Sequence, residues 1–219
     1  MARIISIFLF YCIISTVIYS QDERKTNIEV FDNIITAELE KFLYYPGLNR
    51  NFEFIFIVNP VESGGSIKRA GDINRYLSSI IKKTASSNKL NFSIAPDTLS
   101  VNKDSGYYAV ALQVFELETK YTGFKKNKFL GEKTLERNIK VNIGVNITSG
   151  SGFNLSDKIL SNYKDEVKYD DYENLEASQY SFTHADAPKL STFETIVFPV
   201  LLIVASAAAT ILFFTIRSK

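Results

Sequence analysis

The segment ERNIKVNIGVNIT, residues 136–148, has the most regular pattern in the chain. Aliphatic side chains occupy every second position, and Asn, Lys or Gly fills the positions between them. The aliphatic residues are Ile139, Val141, Ile143, Val145 and Ile147. Because successive side chains of a strand point to opposite faces of a sheet, this alternation predicts a long strand with one buried and one solvated face.

A second long strand is predicted just upstream, in YYAVALQVFELETKY, residues 107–121. We expect the two strands to pair as an antiparallel hairpin, with helices covering the inner face. Downstream, TSGSG predicts a turn. The next segment, DKILSNY, residues 157–163, predicts another strand, and a short helix is the alternative.

The first half of the chain predicts two amphipathic helices. Apolar residues at helical spacing cover 28–42 and stop before Pro46, and the second helix is predicted over about 72–86. Residues 52–58, FEFIFIV, predict a buried central strand, and residues 90–96 predict a short one. The order α–β–α–β–β–β predicts an α+β fold, with an antiparallel or mixed sheet and helices packed on one face.

Both ends of the chain are apolar. Residues 4–19 come after the basic Arg3 and resemble the apolar region of a signal peptide, with cleavage expected after Ser20; an uncleaved signal anchor is the alternative. Residues 195–216 contain no charged residue and would form a helix of about 33 Å, enough to cross a hydrocarbon core of about 30 Å. These segments predict export and then anchoring.

The predicted organisation therefore has five parts. They are a signal peptide (1–20), an exported α+β domain (21–163), an acidic, tyrosine-rich stalk (164–194), a transmembrane helix (195–216) and a cytoplasmic tail (217–219). The basic tail residues favour a cytoplasmic C-terminus, which leaves the main domain periplasmic or at the cell surface.

Composition limits the partners and the compartment. The chain has 25 basic and 24 acidic residues, and the signal segment removes one basic residue and no acid. The near-zero net charge that remains argues against a nucleic-acid partner. Its one cysteine lies within the signal segment, so we expect no disulfide in the exported domain. The abundance of Asn, Lys, Ile and Phe favours a bacterial envelope protein.

The predicted hairpin tip is the first candidate contact site. The segment YTGFKKNKFLGEK interleaves lysines with phenylalanines, and the candidate residues are Phe124, Lys125, Lys126, Lys128 and Phe129. Such a mixture suits anionic lipid, glycan or an acidic protein surface. The alternative is a solvated tip whose phenylalanines fold back on the sheet. Residues 163–180 carry the opposite charge and predict an extended stalk whose tyrosines pack along the domain. We expect the basic and the acidic segment to meet, within one molecule or between two.

The apolar C-terminal run holds the second candidate contact site. Ala205 and Ala209 are four residues apart, a small-xxx-small spacing that lets two helices approach closely in lipid. The pattern predicts a protein partner or self-association through the membrane helix. An alanine-rich span without a specific partner is the alternative.

No motif in the chain predicts catalysis, a cofactor or a metal. The single histidine, His184, has Ser181 and Asp186 as sequence neighbours, but a triad needs residues that converge in a cleft, so we expect a solvated stalk residue. Further His or Cys ligands for a metal are missing, and the acidic residues of 170–173 lack calcium-loop spacing. The glycines of 62–71 match neither a phosphate loop nor a dinucleotide fingerprint.

The element order and the SG turns resemble two groups of small bacterial envelope domains. These are the lipoprotein activators of peptidoglycan synthases and the amino-terminal domain of the Tol-system propeller protein, and the likeness covers about residues 72–163. The chain departs from them because no strand precedes its first helix and its anchor is C-terminal. The ends also resemble uncharacterised bacterial proteins with a signal peptide and a terminal LFFTIRS-type helix. Neither resemblance implies functional residues.

The sequence therefore predicts a non-enzymatic, single-pass envelope protein whose exported domain is a binding or assembly module. Two alternatives stay open. One is an extracytoplasmic glycan-active enzyme that uses a pair of carboxylates brought together by folding. The other is a small-ligand sensor subunit that signals through a partner helix.

Overall fold

The fold follows the predicted order α–β–α–β–β–β and adds a fifth strand after it. The computed structural model describes residues 24–60, 67–96, 106–126, 131–190 and 196–217. The predicted signal segment and most of the glycine-rich loop lie outside the described residues. In chain order the elements are α1 (Asn27–Leu43), β1 (Glu53–Pro60), α2 (Ile67–Ser87), β2 (Phe92–Ala95), β3 (Tyr107–Lys126), β4 (Lys133–Ser149), β5 (Asn154–Lys168) and α3 (Phe198–Arg217).

The strands form one mixed sheet in the order β2-β1-β3-β4-β5. β1 runs parallel to both β2 and β3, whereas β3, β4 and β5 are antiparallel neighbours. The antiparallel hairpin of β3 and β4 is thus confirmed. The segment that allowed either a strand or a helix is a strand, and β5 extends beyond it in both directions.

Both helices pack on one face of this sheet, which confirms the predicted α+β class. The apolar stripe of α1, the apolar side of α2 and the inward side chains of β1, β3 and β4 form one core. A capping box starts α1: the Glu29 amide donates to Thr26 Oγ1 at 3.3 Å, and the Thr26 amide donates to Glu29 Oε2 at 2.7 Å. This pairing satisfies main-chain donors that a helix end leaves unbonded.

A β-bulge divides β3 into two halves with opposite alternation. Val114 pairs with Ile143 and Glu116 with Asn142, which leaves Phe115 as the extra residue. Even-numbered residues point into the core before the bulge, and odd-numbered residues do so after it. A Cβ atom on Gly144 would lie 3.2 Å from the Phe115 ring, so glycine makes room for the bulged side chain.

The segment after β5 packs on the domain and contributes to its core, so a stalk that is separate from the domain from residue 164 onward is wrong for this part of the chain. Phe182 is 1% exposed, and its ring centre lies 5.1 Å from that of Phe31 on α1 and 5.0 Å from that of Tyr76 on α2. The Ser181 amide donates to the Asp72 carboxylate on α2 at 3.2 Å. Packing of both helices against one aromatic ring makes the segment part of the core.

The predicted domain boundary at residue 163 falls inside β5, and contacts with the domain continue as far as Ala187. The predicted packing of tyrosines along the domain is confirmed for Tyr169, Tyr172 and Tyr180. The burial of Phe182 was not predicted, because an isolated apolar residue in a polar segment has no periodicity.

We expect Phe182→Ala to lower the free energy of unfolding by about 3–5 kcal/mol, because it empties a buried aromatic site. Urea unfolding of the full chain in detergent, monitored by circular dichroism, measures the change. Lys189→Ala, at an exposed position of the same segment, is the control and should alter stability by less than about 0.5 kcal/mol. Equal, small effects of both substitutions would contradict the packing of this segment.

Candidate functional site

A buried charge network holds the C-terminal segment in place. Arg137 on β4 is 0% exposed. Its guanidinium donates two hydrogen bonds to the Asp165 carboxylate on β5, with Nε to Oδ1 at 2.8 Å. Its Nη1 donates to the main-chain oxygen of Lys25 and to Asn27 Oδ1, each at 2.8 Å. The start of α1 is therefore fixed to two strands.

The Asn27 side chain extends this network to β3 and to the C-terminal segment. Its amide nitrogen donates to the Tyr121 hydroxyl at 2.8 Å and to the Thr183 main-chain oxygen at 2.7 Å. Thr183 is itself fully buried, and its hydroxyl bonds main-chain oxygens of its own segment. Each buried polar group of the Asn27 side chain thus has a partner.

The charges of the network favour a permanently ionised guanidinium. Burial lowers the pKa of Arg137, but the hydrogen bonds and negative charge of Asp165 raise it more, so the pKa lies above its usual value. Burial and the Asp165 carboxylate also raise the pKa of Tyr163, whose hydroxyl donates to Asp165 Oδ2 at 3.1 Å. This network is structural in character, because all its groups are bonded to one another.

A cleft of about 410 Å³ lies between β3 and the C-terminal segment. β1 accompanies β3 only as far as Val114, so among the described residues no strand covers the next part of that edge. Residues 118–122 of β3 form one wall, residues 181–186 contribute the other, and Arg69 of α2 also lines the cleft.

One wall residue of the cleft is chemically unusual. Thr119 is 2% exposed, and its Oγ1 has no hydrogen-bond partner among the described residues. A buried hydroxyl without a partner costs about 1–3 kcal/mol, so such groups in native proteins call for an explanation. Thr119 is also one of the residues that line the cleft, although its Oγ1 is buried in the free domain.

Several other polar groups of the cleft have partners within the domain. Arg69 donates to the Leu117 main-chain oxygen at 2.7 Å, and Lys120 lies 2.8 Å from Glu118. His184 Nδ1 lies 2.8 Å from Glu176 Oε2, and its Nε2 lies 3.0 Å from the Ala177 main-chain oxygen. Both ring nitrogens are engaged.

The His184 side chain is 43% exposed, as predicted for a solvated residue, but it belongs to a segment that packs on the domain and not to a free stalk. A Ser–His–Asp relay with Ser181 and Asp186 is not formed, because neither ring nitrogen bonds a serine or that aspartate. In the described part of the chain, no three His, Cys, Asp or Glu side chains cluster as a metal site would require.

The predicted hairpin tip is only partly described. The Phe124 ring packs edge-on against Tyr169, with ring centres 5.8 Å apart, and Lys125 Nζ lies 2.7 Å from Glu166 Oε1. The basic tip and the acidic segment therefore meet within one molecule. Lys126 ends β3, and Lys128 and Phe129 lie outside the described residues. Contact of this tip with an external partner stays a prediction.

The C-terminal helix α3 has the character of a membrane span. Pro199–Ile216 has a mean hydropathy of 2.3, and none of this stretch is buried against the domain. Ser206 and Thr210 donate their hydroxyls to main-chain oxygens one turn earlier, each at 2.8 Å. Ala205 and Ala209 are exposed on this helix, and their contact with another helix stays a prediction.

Sequence reasoning missed the residues that build the site. Arg137 is in phase with the inward residues Ile139 and Val141, so the alternation carried a signal that a charged side chain would be buried. Thr119 and Asn27 had no such signal. The bulge before Thr119 reverses the alternation, and the partners of Asn27 are far away in sequence.

Comparison with known proteins does not assign the chain to a family. No family model matches it, and no curated protein matches it.

Three solved structures show distant likeness. A homologue of a neuraminyllactose-binding hemagglutinin from Helicobacter pylori has a TM-score of 0.31 and 10% identity over 57% of this chain and 72% of that one. A minor lipoprotein from Acinetobacter baumannii has a TM-score of 0.29 and 15% identity over 55% of this chain and 73% of that one. Lipoprotein GNA1162 from Neisseria meningitidis has a TM-score of 0.23 and 10% identity over 72% of this chain and 99% of that one. At these scores the likenesses assign no function to this chain.

Alkaline pH is expected to destabilise the domain through two buried phenols. Burial raises the pKa of Tyr121 to about 12 although the Asn27 hydrogen bond lowers it, and burial together with Asp32 raises the pKa of Tyr76. Above pH about 10 the unfolded chain loses these protons while the folded chain keeps them. The free energy of unfolding should then fall by about 1.4 kcal/mol per pH unit for each phenol, up to its folded pKa.

Urea unfolding of the full chain between pH 9 and pH 11.5 measures this slope. Tyr121→Phe should make the slope shallower by the contribution of one phenol. The matched control, Tyr45→Phe, removes the same hydroxyl from a side chain that is 44% exposed. A profile that is flat for the wild type would contradict burial of these groups.

Proposed function

We propose that this chain is a non-enzymatic, single-pass protein of a bacterial envelope, and that its exported domain binds a partner close to the membrane. One observation carries the proposal. Ala187 still packs on the domain, and nine residues later Ile196 leads into the exposed apolar helix. Nine residues extend to at most about 32 Å, so the domain is held within that distance of the bilayer.

The ends of the chain support the orientation. A signal segment over 1–20 would export the downstream chain, and α3 would then stop transfer. Arg217 and Lys219 beyond the apolar run favour the cytoplasmic side for the C-terminus. A domain attached in this way acts as a membrane-proximal binding or assembly module, and a subunit of a larger envelope complex is the role that it fits best.

Binding fits the cleft better than catalysis. Burial raises the pKa of the Glu118 carboxyl, but its hydrogen bond to Lys120 and nearby positive charges lower it more, so the pKa lies below its usual value. A glycosidase acid needs a raised pKa to hold its proton at neutral pH. Asp186 is the other acidic residue that lines the cleft. A glycan-active enzyme would need one carboxyl of this pair to keep its proton, and the lowered pKa of Glu118 opposes that role for Glu118.

The hairpin end of the domain is the end that we expect to face the bilayer. A small cluster around Tyr121, Leu135 and Val167 contains both Phe124 of the hairpin and Ala187 of the connection to α3. The connection to the membrane therefore leaves the domain beside the hairpin tip. The lysines of the hairpin tip would then lie close to the bilayer surface, where anionic head groups attract basic residues.

We expect a tryptophan at position 129 to report lipid contact. The chain has no tryptophan, so Phe129→Trp gives a single fluorophore at the tip. In nanodiscs that contain anionic lipid and a brominated phospholipid, its emission should be quenched. Phe153→Trp, in the turn between β4 and β5 at the other end of the hairpin, is the control and should keep its emission. Equal quenching at both positions would contradict the orientation.

A pull-down separates the domain from the membrane helix. Tagged full-length chain is compared, in mild detergent, with a variant in which residues 195–216 are replaced by an unrelated spanning helix. We expect the same partner in both samples, because the folded domain provides the contact surface. A partner that is lost with the native helix would place the contact on α3. No partner in either sample would contradict the assembly proposal.

If the contact lies on α3, its face can be identified. Ala205→Ile with Ala209→Ile fills the small-residue face and should abolish association, because large side chains keep the helices apart. Ala207→Ile, on another side of the helix, is the matched control.

A further inference from the structure

We propose that the cleft beside β3 binds a short extended peptide by adding it as a strand to the edge of β3 that no described strand covers after Val114. The inference deepens the proposed function, since it rests on the exported domain being a binding module, and it names the site and the ligand class. The proposed site consists of main-chain groups at the edge of β3 together with the side chains of Thr119 and Arg69. The contacts of the hairpin tip and of α3 play no part in it.

The edge of β3 changes its partner at the bulge. Before the bulge β1 occupies this edge through the pairing that ends with Pro60 and Val114. After it, the main-chain oxygen of Leu117 accepts a hydrogen bond from Arg69 Nη2 at 2.7 Å, so this edge faces the cleft. Every second residue of a strand presents its amide and carbonyl to the same edge, so Thr119 and Tyr121 present theirs there as well.

This edge offers the groups that a peptide main chain requires. Amide donors and carbonyl acceptors alternate along it at the spacing of a strand, and a second extended main chain carries the complementary groups at the same spacing. A small rigid ligand would satisfy one such group, whereas a peptide of a few residues satisfies several. The cleft, with a volume of about 410 Å³, lies beside this edge, and the inner side of such a segment would enter it.

The Thr119 hydroxyl supports the assignment independently. Its Oγ1 is buried and has no partner among the described residues, and Thr119 is a lining residue of the cleft. Valine has nearly the same shape and would remove the unpaired group, so the hydroxyl destabilises the free domain. A peptide carbonyl or amide in the cleft would give this hydroxyl its partner.

Arg69 gives the site a preference among peptides. Its guanidinium has five N–H donors in a planar fork, and the bond to Leu117 uses one of them. The remaining donors suit a carboxylate at the same end of the cleft. We therefore expect peptides with an acidic residue near the Leu117 end to bind best.

The test uses the full chain in nanodiscs and a defined mixture of peptides. The probe is Ac-X-Val-X-Val-X-amide, with X drawn from Asp, Lys, Ser and Tyr. Retained peptides are identified by mass spectrometry and their affinities measured by fluorescence polarisation. We expect retention of Asp-containing members, and loss of binding when both valines carry N-methyl groups, because N-methylation removes main-chain donors.

Thr119→Val provides the matched variant. It should raise Tm by about 2–4 °C while it weakens peptide binding about 3- to 10-fold, the loss expected for one hydrogen bond. Thr148→Val, half-buried on β4, is the control and should change neither quantity. A stabilised variant that binds peptide as well as the wild type would overturn the role of the hydroxyl.

Amide hydrogen exchange tests the edge directly. The amides of Thr119 and Tyr121 should exchange quickly in the free protein and slowly with bound peptide. Protection without peptide would mean that the edge is already occupied, and this would overturn the proposal. If no peptide is retained but the pull-down partner still binds Thr119→Val, the proposed function stands and this inference fails. If the pull-down finds no partner either, both fail.

Discussion

The fold depends on the burial of one guanidinium. Moving a charge out of water is costly unless it is paired and hydrogen-bonded, and Arg137 is fully buried with bonds to three partners. Those partners come from β5 and from the start of α1, and Asn27 adds β3 and the C-terminal segment. Removing any of these segments would leave a buried charge or amide without a partner, so they are stable only together.

The same network shapes the candidate site and the attachment to the membrane. Because Asn27 binds the main chain at Thr183, the C-terminal segment lies along β3 and forms the second wall of the cleft. Because this segment packs on the domain as far as Ala187, only about ten residues connect the domain to α3. A free stalk would have placed the domain far from the bilayer and would have left the β3 edge without a facing wall.

The bulge at Phe115 is the other local feature with a large effect. One extra residue reverses the alternation of β3, so Thr119 and Tyr121 turn inward while Lys120 between them stays outside. Without it Thr119 would point to solvent and Tyr121 could not meet Asn27. Gly144 makes this bulge possible on the neighbouring strand, because any side chain there would press on the Phe115 ring.

The sequence by itself determined the elements, the α+β class and the apolar C-terminal helix, because periodicity and length are local properties. It also contained the phase of Arg137, which marks a charged side chain on the inward face of β4. Only the tertiary structure decided the parallel pairing of β1, the packing of Phe182 and the unpaired hydroxyl of Thr119. These depend on contacts between distant residues, such as the bond from Arg137 to Lys25 across 112 positions, and such contacts leave no periodic trace in the sequence.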